Sequence, residues 1–202
     1  MKHAFETLVG EVHAALQAGE QFTLGYSAEQ SQFVRFNHAK VRQAGEVSQA
    51  SAQLRLVRDG RQAEQQVTLS GDLQLDRQRL NVALEQLRQT LPLLALDPYL
   101  RLDENAWHSH SLQEHPLPAL NEVLALLERE AGDLDLVGIY AAGPVCRGFA
   151  SSFGAFGWHQ ANSFNVDWSL FHDNGQAVKA NYAGQVWSCL LYTSDAADEE
   201  DS

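Results

Sequence analysis

The Asp59-Gly60 dipeptide is the feature of this sequence that most constrains its fold. It separates two segments, 52–58 and 61–69, in which apolar and polar residues alternate as they do in half-buried strands. Asp-Gly readily adopts the positive φ angles of a two-residue hairpin turn. The sequence therefore predicts an antiparallel hairpin at this position. The expected cross-strand apolar pairs join Leu54 and Leu56 to Val67 and Leu69.

Apolar periodicity along the rest of the chain predicts an α+β fold. Apolar residues recur every three or four positions in three segments, which is typical of amphipathic helices. The predicted helices cover 3–18, 72–91 and 117–130. Alternation predicts strands at 22–26, 33–36, 136–142, 145–152, 164–170 and 178–182, with turns at 143–144 and 173–175 and a polar, histidine-bearing connection over 97–118. This pattern indicates a largely antiparallel β-sheet with about three packing helices.

The composition is that of a soluble globular protein. The 202 residues are 45% hydrophobic and carry a formal net charge of −12. This acidity argues against a nucleic-acid partner, because neutralising phosphates requires lysine and arginine. No apolar run approaches the roughly 18 residues of a membrane span, and the N-terminus has no signal-peptide pattern. We therefore expect a cytoplasmic protein that binds neither nucleic acid nor membrane.

The last fourteen residues differ from the rest of the chain. The alternating pattern stops at Trp187, and the following run CLLYTSDAADE resembles a translated transposon-end sequencing adapter. The alternative interpretation is a natural acidic tail. On the adapter interpretation, residues 1–187 are the native domain and 188–202 are a non-native tail. Without the five acids of that tail the net charge of −12 becomes −7, and the chain is a fragment of a longer protein.

Two features invite a chemical interpretation. His108, His110 and His115 share one polar segment, but their spacing is not that of a zinc site, which needs three or four convergent ligands. A polar surface loop is therefore favoured. Cys146 is a candidate nucleophile only if a histidine approaches it as a base. Its small and apolar neighbours favour a buried structural thiol.

Six cationic residues lie between positions 35 and 61, against two acids. The cations are Arg35, Lys40, Arg42, Arg55, Arg58 and Arg61, and the acids are Glu46 and Asp59. This pattern has two interpretations: a binding face for an acidic partner or peptide, or the solvated face of an antiparallel sheet. The second is favoured, because charge indicates a tendency to associate rather than a particular partner.

Four segments in the last third of the chain carry a family resemblance. They read VGIYAAG at 137–143, RGFASSFG at 147–154, SFNVDWSL at 163–170 and AVKANYAG at 177–184. Together they resemble the end of the N-terminal domain in the TldD/PmbA family, the "modulator of DNA gyrase" metallopeptidases. The order of the predicted elements agrees with that domain over roughly residues 1–187.

The resemblance implies a cytoplasmic protein about twice this length. It implies a homo- or heterodimer with a TldD/PmbA-type subunit, enclosing a chamber that receives unfolded peptides. Proteolysis in the family uses zinc held by an H-E-x-x-x-H helix and a thiolate of the C-terminal domain. No catalytic or metal residue is carried over to this sequence, so we expect no cofactor in this fragment and zinc in the missing C-terminal domain. The parent protein is expected to be a metallopeptidase and the fragment itself to be inactive.

Two functions are consistent with this resemblance. The first is the N-terminal scaffold and substrate-chamber domain of a zinc metallopeptidase, and the alternative is a non-catalytic partner subunit or peptide-binding module. For the first, we expect a peptide or interface surface within 147–167, with Trp168 packing beneath it. The candidate residues are Arg147, Ser151, Ser152, His159, Asn165 and Asp167. The competing interpretation is that these residues only build the sheet.

Overall fold

The hairpin predicted at Asp59-Gly60 is present. The computed structural model describes residues 1–172 and 174–188, and the φ angles of Asp59 and Gly60 are 50° and 70°. The two flanking strands pair antiparallel, but the expected direct pairs are wrong, since Leu54 lies opposite Gln65. A two-residue turn fixes the register by counting outward from the turn. The apolar residues still share one buried face: Leu54, Leu56, Val67 and Leu69.

Three α-helices and seven strands are formed by the described residues. The helices are α1 (Lys2–Ala14), α2 (Leu73–Thr90) and α3 (Leu120–Ala131), with a 3-10 helix at Leu91–Leu93. The strands are β1 (Gln21–Asn37), β2 (Lys40–Arg58), β3 (Arg61–Leu69), β4 (His108–Gln113), β5 (Asp135–Ser151), β6 (Phe156–Phe171) and β7 (Ala177–Gly184). They form one antiparallel sheet in the order β3-β2-β1-β5-β6-β4, with β7 also paired to β6. The predicted α+β class is confirmed.

Local sequence signals explain where the helices begin and end. The Asp72 carboxylate accepts hydrogen bonds from the backbone N–H groups of Gln74 and Leu75, at 2.9 and 3.0 Å, and so caps α2. Pro92 ends the same helix, as predicted, within the 3-10 turn that follows. The first helix ends at Ala14, four residues earlier than predicted.

Two sequence-based expectations about the strands are wrong. Gly143-Pro144 is not a turn, because β5 runs without interruption through both residues. The connection predicted over 97–118 contains β4, a strand of mostly exposed polar residues. Alternation of apolar and polar residues reports burial of one face, so a strand exposed on both faces leaves no such pattern.

The chain folds into two compact units. Unit 1 contains residues 1–30, 47–112 and 144–161, and unit 2 contains 31–46, 113–143 and the described residues from Asn162 onward. Four long strands, β1, β2, β5 and β6, contribute residues to both units. The predicted domain of residues 1–187 is thus divided between them.

Unit 1 has a large core beneath two helices. The rings of Phe5, Tyr26 and Trp158 meet at its centre, with centroid distances of 5.4 Å from Phe5 to Tyr26 and 5.9 Å from Phe5 to Trp158. Gly148 lies against Phe5, where an added Cβ would stand 2.7 Å from the ring. Leucines of α2, Leu80, Leu84 and Leu87, complete this core. Helix α1 therefore packs close to the strand because position 148 has no side chain.

Unit 2 has a smaller core beneath one helix. Val123 of α3 packs with buried residues of the strands: Val34, Phe36, Tyr140, Phe164 and Val166. Gly138 brings β5 and β6 close together, since an added Cβ would lie 2.5 Å from the Asp167 carbonyl oxygen. Trp187 packs in the same cluster, with its ring centroid 4.9 Å from that of Phe164.

No helix in the described part of the chain is long and apolar enough to cross a membrane. The run 189–202 interpreted as a translated adapter lies outside the described residues. So does Asp173 of the predicted turn at 173–175, whereas Gly175 in that turn has the expected positive φ of 82°.

Candidate functional site

The six predicted surface residues do not share one compact unit. Four of them, Arg147, Ser151, Ser152 and His159, belong to unit 1. Asn165 and Asp167 belong to unit 2. Their proposed role in binding a peptide or a subunit stays a prediction, and each group is described in its own unit.

Ser151 and Ser152 hold the turn between β5 and β6. The buried Ser151 hydroxyl oxygen accepts hydrogen bonds from the N–H groups of Phe153 and Ala155, both at 3.3 Å. The Ser152 hydroxyl oxygen accepts from the Phe22 N–H at 3.2 Å, while the Ser152 N–H donates to the Phe22 carbonyl at 3.0 Å. Both hydroxyl groups are therefore engaged within unit 1 and serve the geometry of the turn.

Arg147 and His159 lie on the sheet face opposite the helices. Successive side chains of a strand point to opposite faces. Since Gly148 faces Phe5 beneath α1, the side chains of Arg147 and Phe149 point to the other face, where both are exposed. On β6 the buried Trp158 faces the core, which places Gly157 and His159 on the same open face.

An aromatic pair that no sequence pattern indicated occupies this open face. The rings of Trp107 and Phe149 stack with centroids 5.9 Å apart and planes inclined by 6°. Each residue is 38% exposed. We call the face formed by Trp107, Phe149, Arg147 and His159 the aromatic surface.

Gly157 makes the aromatic surface possible. A Cβ at this position would lie 2.9 Å from the Trp107 ring, so only glycine lets the indole lie flat against β6. The Trp107 carbonyl also accepts a hydrogen bond from the Phe156 N–H at 2.8 Å, which fixes the segment that precedes β4. Gly157 was singled out in the sequence, but Trp107, which packs against it, is about fifty positions away.

The two candidates in unit 2 have different surroundings. Asp167 forms an ion pair with Lys179 of β7 at 3.3 Å, on the exposed face of that strand pair. Asn165 is exposed and lies opposite Ala183 of β7. Trp168, expected to pack beneath this stretch, is half-buried against the unit 2 core.

The Cys146 thiol is buried, as the sequence predicted. It is fully shielded from solvent, and burial raises its pKa above the ordinary value. Its sulfur lies 3.6 Å from the Gln160 side-chain oxygen and 3.4 Å from the Met1 sulfur. A thiol held in its protonated form within a packed core does not have the properties of a catalytic nucleophile.

The histidines near β4 do not converge on a metal site. Within residues 1–172 and 174–188, no three His, Cys, Asp or Glu side chains are grouped so that they could hold a metal ion. His108 instead packs against the Phe156 ring at 6.2 Å, and the His115 carbonyl accepts a hydrogen bond from the Asn162 amide. The polar interpretation of this segment is retained, although part of it is a strand.

A buried ion pair lines a cavity of about 500 Å³ in unit 1. The Arg88 guanidinium donates to both oxygens of the Glu20 carboxylate at 2.8 Å and also to the Ala15 carbonyl at 2.5 Å. The hydrogen bonds from Arg88 lower the pKa of Glu20, and the carboxylate raises the pKa of Arg88. Because the two charges neutralise each other, we interpret the ion pair as a structural contact that links α2 to the end of α1.

A second cavity, of about 440 Å³, opens beside α3 in unit 2. Its lining is mainly apolar: Leu126, Leu127, Ala131, Leu136, Val166, Trp168, Leu170, Tyr182 and Trp187. The Tyr182 hydroxyl accepts from the Ser188 N–H at 3.0 Å and donates to the Ser188 carbonyl at 3.2 Å. These bonds fold residues 186–188 back against the sheet and hold Trp187 in the cavity wall.

The fold is shared with solved structures of longer proteins. TldE from Thermococcus kodakarensis matches with a TM-score of 0.61 at 17% identity, over 91% of this chain and 43% of that protein. A Thermotoga maritima protein described as a modulator of a DNA gyrase matches with a TM-score of 0.59 at 9% identity, over 89% of this chain and 42% of that protein. A Bacteroides thetaiotaomicron protein described as a modulator of DNA gyrase gives a TM-score of 0.53 at 14% identity, over 90% and 44%.

These matches show a TldD/PmbA-like fold, as the sequence resemblance implied. The chain spans less than half the length of each of these proteins. No family model matches the sequence. No curated protein matches it either.

Proposed function

We propose that residues 1–187 are the N-terminal scaffold and substrate-chamber domain of a TldD/PmbA-type zinc metallopeptidase that acts on peptides. The observation that carries this proposal is the likeness of fold over about nine-tenths of this chain, which spans 42–44% of each longer protein. If the parent has a similar length, more than half of it lies outside this domain and can contain a catalytic domain. We further propose that the parent works in the cytoplasm as a homo- or heterodimer.

The role assigned to this chain is to bind and orient peptides. The aromatic surface supports this role, because stacked rings offer a large apolar contact area at a low cost in conformational entropy. Arg147 lies on the same face two residues from Phe149 and is suited to a peptide carboxylate.

No step of hydrolysis is assigned to residues of this chain. Zinc, when bound in a peptidase, activates a water molecule for attack on the peptide bond. The described residues contain no group of side chains that fits a zinc ion. We propose that zinc is held by the C-terminal domain of the parent, as the family resemblance implies.

Recovery of the genomic reading frame beyond Trp187 tests the catalytic part of the proposal. An H-E-x-x-x-H sequence on a predicted helix in the next ~100 codons, a typical domain length, would support the zinc peptidase. A continuing frame without those ligands would favour the alternative, a non-catalytic partner subunit or peptide-binding module. A stop codon after a natural acidic tail would contradict the interpretation of the chain as a fragment and would favour a stand-alone binding domain.

Peptide binding by the chain itself tests the scaffold role. Fluorescence anisotropy with labelled, unstructured peptides should show binding that the W107S/F149S double variant weakens at least about tenfold, because both aromatic contacts are lost. Tyr99→Ser is the matched control, since Tyr99 is a highly exposed aromatic residue outside this surface. Equal losses in both variants would show that the aromatic surface is not the binding site. The same preparations should release no peptide fragments with added zinc.

A further inference from the structure

The cavity beside the Glu20–Arg88 pair in unit 1 is lined by more charged groups than that pair alone. Three arginines and three acids line it: Arg58, Arg61 and Arg88, and Glu20, Asp59 and Glu85. The side chains of Glu20 and Arg88 are 0% and 13% exposed and bind each other. Those of Arg58, Asp59 and Glu85 are 44%, 77% and 61% exposed, so a second, more accessible group of charges surrounds the same cavity.

Two arginines of this group face each other at the end of the β2–β3 hairpin. The strand register places Arg58 directly opposite Arg61, and both residues line the cavity. Like charges directly opposite each other on an antiparallel pair are destabilising. Asp59 pairs with Arg58 at 3.5 Å, but an ion pair this exposed contributes little to stability. The hairpin therefore keeps two facing cations beside the cavity at a cost in stability.

The terminal nitrogens of both arginines are available to a ligand. The Arg61 Nε donates to the Leu94 carbonyl at 2.8 Å, whereas its two terminal nitrogens donate to no described residue. Arg58 likewise donates no hydrogen bond to any described residue. The backbone at the hairpin end is held in place, since the Asp97 N–H donates to the Gly60 carbonyl at 2.9 Å. A ligand that binds both arginines does not have to order this backbone first.

Glu85 of α2 brings an acceptor to the same cavity. Its Oε1 accepts a hydrogen bond from Arg88, and its Oε2 accepts none from the described residues. The lining thus offers free donors on the two arginines and a free acceptor on Glu85. A simple anion would be attracted by the arginines but repelled by Glu85 and Asp59. A ligand that carries both a negative and a positive group complements both kinds of charge.

We propose that this cavity binds a small zwitterion, with its carboxylate held by Arg58 and Arg61 and its ammonium group held by Glu85. Arginine binds carboxylates through two parallel hydrogen bonds, and a carboxylate between the two guanidinium groups relieves their repulsion. The volume of about 500 Å³ lies within the roughly 300–1,000 Å³ of small-molecule sites. A free amino acid and a short peptide both have this chemistry. The site is separate from the aromatic surface and does not depend on the proposed function.

Calorimetric titration of the full chain with glycine and with triglycine tests the proposal and separates the two sources. Tighter binding of glycine would identify a free amino acid as the ligand, and tighter binding of triglycine would identify a short peptide. Amidation of the ligand's carboxylate should weaken binding about tenfold or more, because hydrogen bonds to charged groups are lost. Acetylation of its amino group should weaken binding about threefold or more, since the ammonium group no longer carries a charge for Glu85.

Variants of the chain assign each end of the ligand. R58Q/R61Q should weaken triglycine binding about tenfold or more, whereas the control R101Q/R129Q, which removes two arginines outside the cavity, should change affinity less than about threefold. Glu85→Gln should weaken the binding of triglycine and leave that of N-acetyl-triglycine unchanged, because only the first has an ammonium group.

Three results would overturn this proposal. They are the absence of binding by both zwitterions, equal binding of triglycine with both ends blocked, and equal losses in the two double variants. Arg58→Gln alone keeps the test decisive if the double variant fails to fold, because Arg58 donates no hydrogen bond to any described residue. A folded Arg58→Gln protein that binds triglycine as tightly as the native chain would also contradict the proposal.

Discussion

Units 1 and 2 use the same materials, a twisted antiparallel sheet and amphipathic helices, but they cover their apolar faces differently. In unit 1, α1 and α2 lie over the sheet, and Phe5 of α1 and the leucines of α2 fill the core together with aromatic rings of the strands. In unit 2, the single helix α3 covers the sheet, and residues 186–188 fold back beside it. A 440 Å³ cavity with a mainly apolar lining is left in unit 2.

The comparison indicates that the two units tolerate change differently. A closely packed core cannot collapse into the space left by a truncated side chain, so the full cost of the cavity is retained. A core that borders an open apolar cavity can rearrange and recover part of that cost. We therefore expect unit 1 to determine the stability of the chain and unit 2 to be the more adaptable.

Phe5→Ala is expected to have the largest effect. Phe5 is fully buried among Tyr26, Phe156 and Trp158, and its truncation should lower the free energy of unfolding by about 3–5 kcal/mol. Phe164→Ala in unit 2 is the matched control and should cost less, about 2–3 kcal/mol, because the nearby cavity lets its neighbours relax. Urea denaturation measures both. An equal or larger cost at Phe164 would contradict the proposed difference between the units.

Arg88→Met should be nearly as damaging, since it leaves the Glu20 carboxylate buried without its partner. Loss of one member of a buried pair costs about 3 kcal/mol or more at pH 7. The pKa of Glu20 is lowered from 4.5 in the folded state, so the pair stabilises the protein above about pH 4.5 and this contribution is lost as the pH falls through the folded value. The free energy of unfolding of the native chain, measured from pH 7 to pH 3, should therefore decrease as the pH falls. E20Q/R88M should recover part of the loss, and its failure to do so would show that the pair is not the cause.

Trp187→Ala should have an intermediate effect. The ring is half-buried in an aromatic cluster with Tyr140, Phe164 and Tyr182, so its removal should cost about 1–2 kcal/mol. It should also enlarge the apolar cavity and increase the binding of a hydrophobic dye. Unchanged dye binding would mean that the ring does not restrict access to that cavity.

Val178→Thr is expected to have the smallest effect. Val178 is 71% exposed on β7, and surface substitutions without special contacts change stability by less than about 0.5 kcal/mol. The matched change Val12→Thr in the core of unit 1 should cost at least about 1 kcal/mol, because it buries a hydroxyl group. Thermal melts of the two variants give the comparison directly. A loss of stability at Val178 as large as that at Val12 would indicate that β7 is buried against another molecule in solution.

The sequence predicted elements well where one face of an element is buried and the turn chemistry is local. The Asp59-Gly60 hairpin and the end of α2 at Pro92 are examples, because their cause lies within a few residues. Gly143-Pro144 misled the prediction for the opposite reason. Proline lacks one N–H group, but strand neighbours far along the chain still hold β5 in an extended conformation on both sides of it.

The candidate site was predicted less completely than the fold. Arg147 and His159 lie on one face of the sheet, and their role in binding stays a prediction. Ser151 and Ser152 hold a turn, which burial and hydrogen bonding reveal and sequence does not. Trp107 was missed because it comes from an otherwise polar segment. Its stacking on Phe149 depends on a glycine of another strand, and such long-range packing leaves no periodic signal in a single sequence.

The position of β5 beside β1 has a consequence for how this protein is made. About 100 residues separate the end of β1 from the start of β5, although the two strands are neighbours in the sheet. A ribosome adding 5–20 residues per second needs roughly 5–20 s to synthesise that interval. During this time the nascent chain carries β1 with one edge unpaired, which is a template for unwanted strand pairing. Expression of this protein should therefore depend on chaperones that hold the first half of the chain until the second half has emerged.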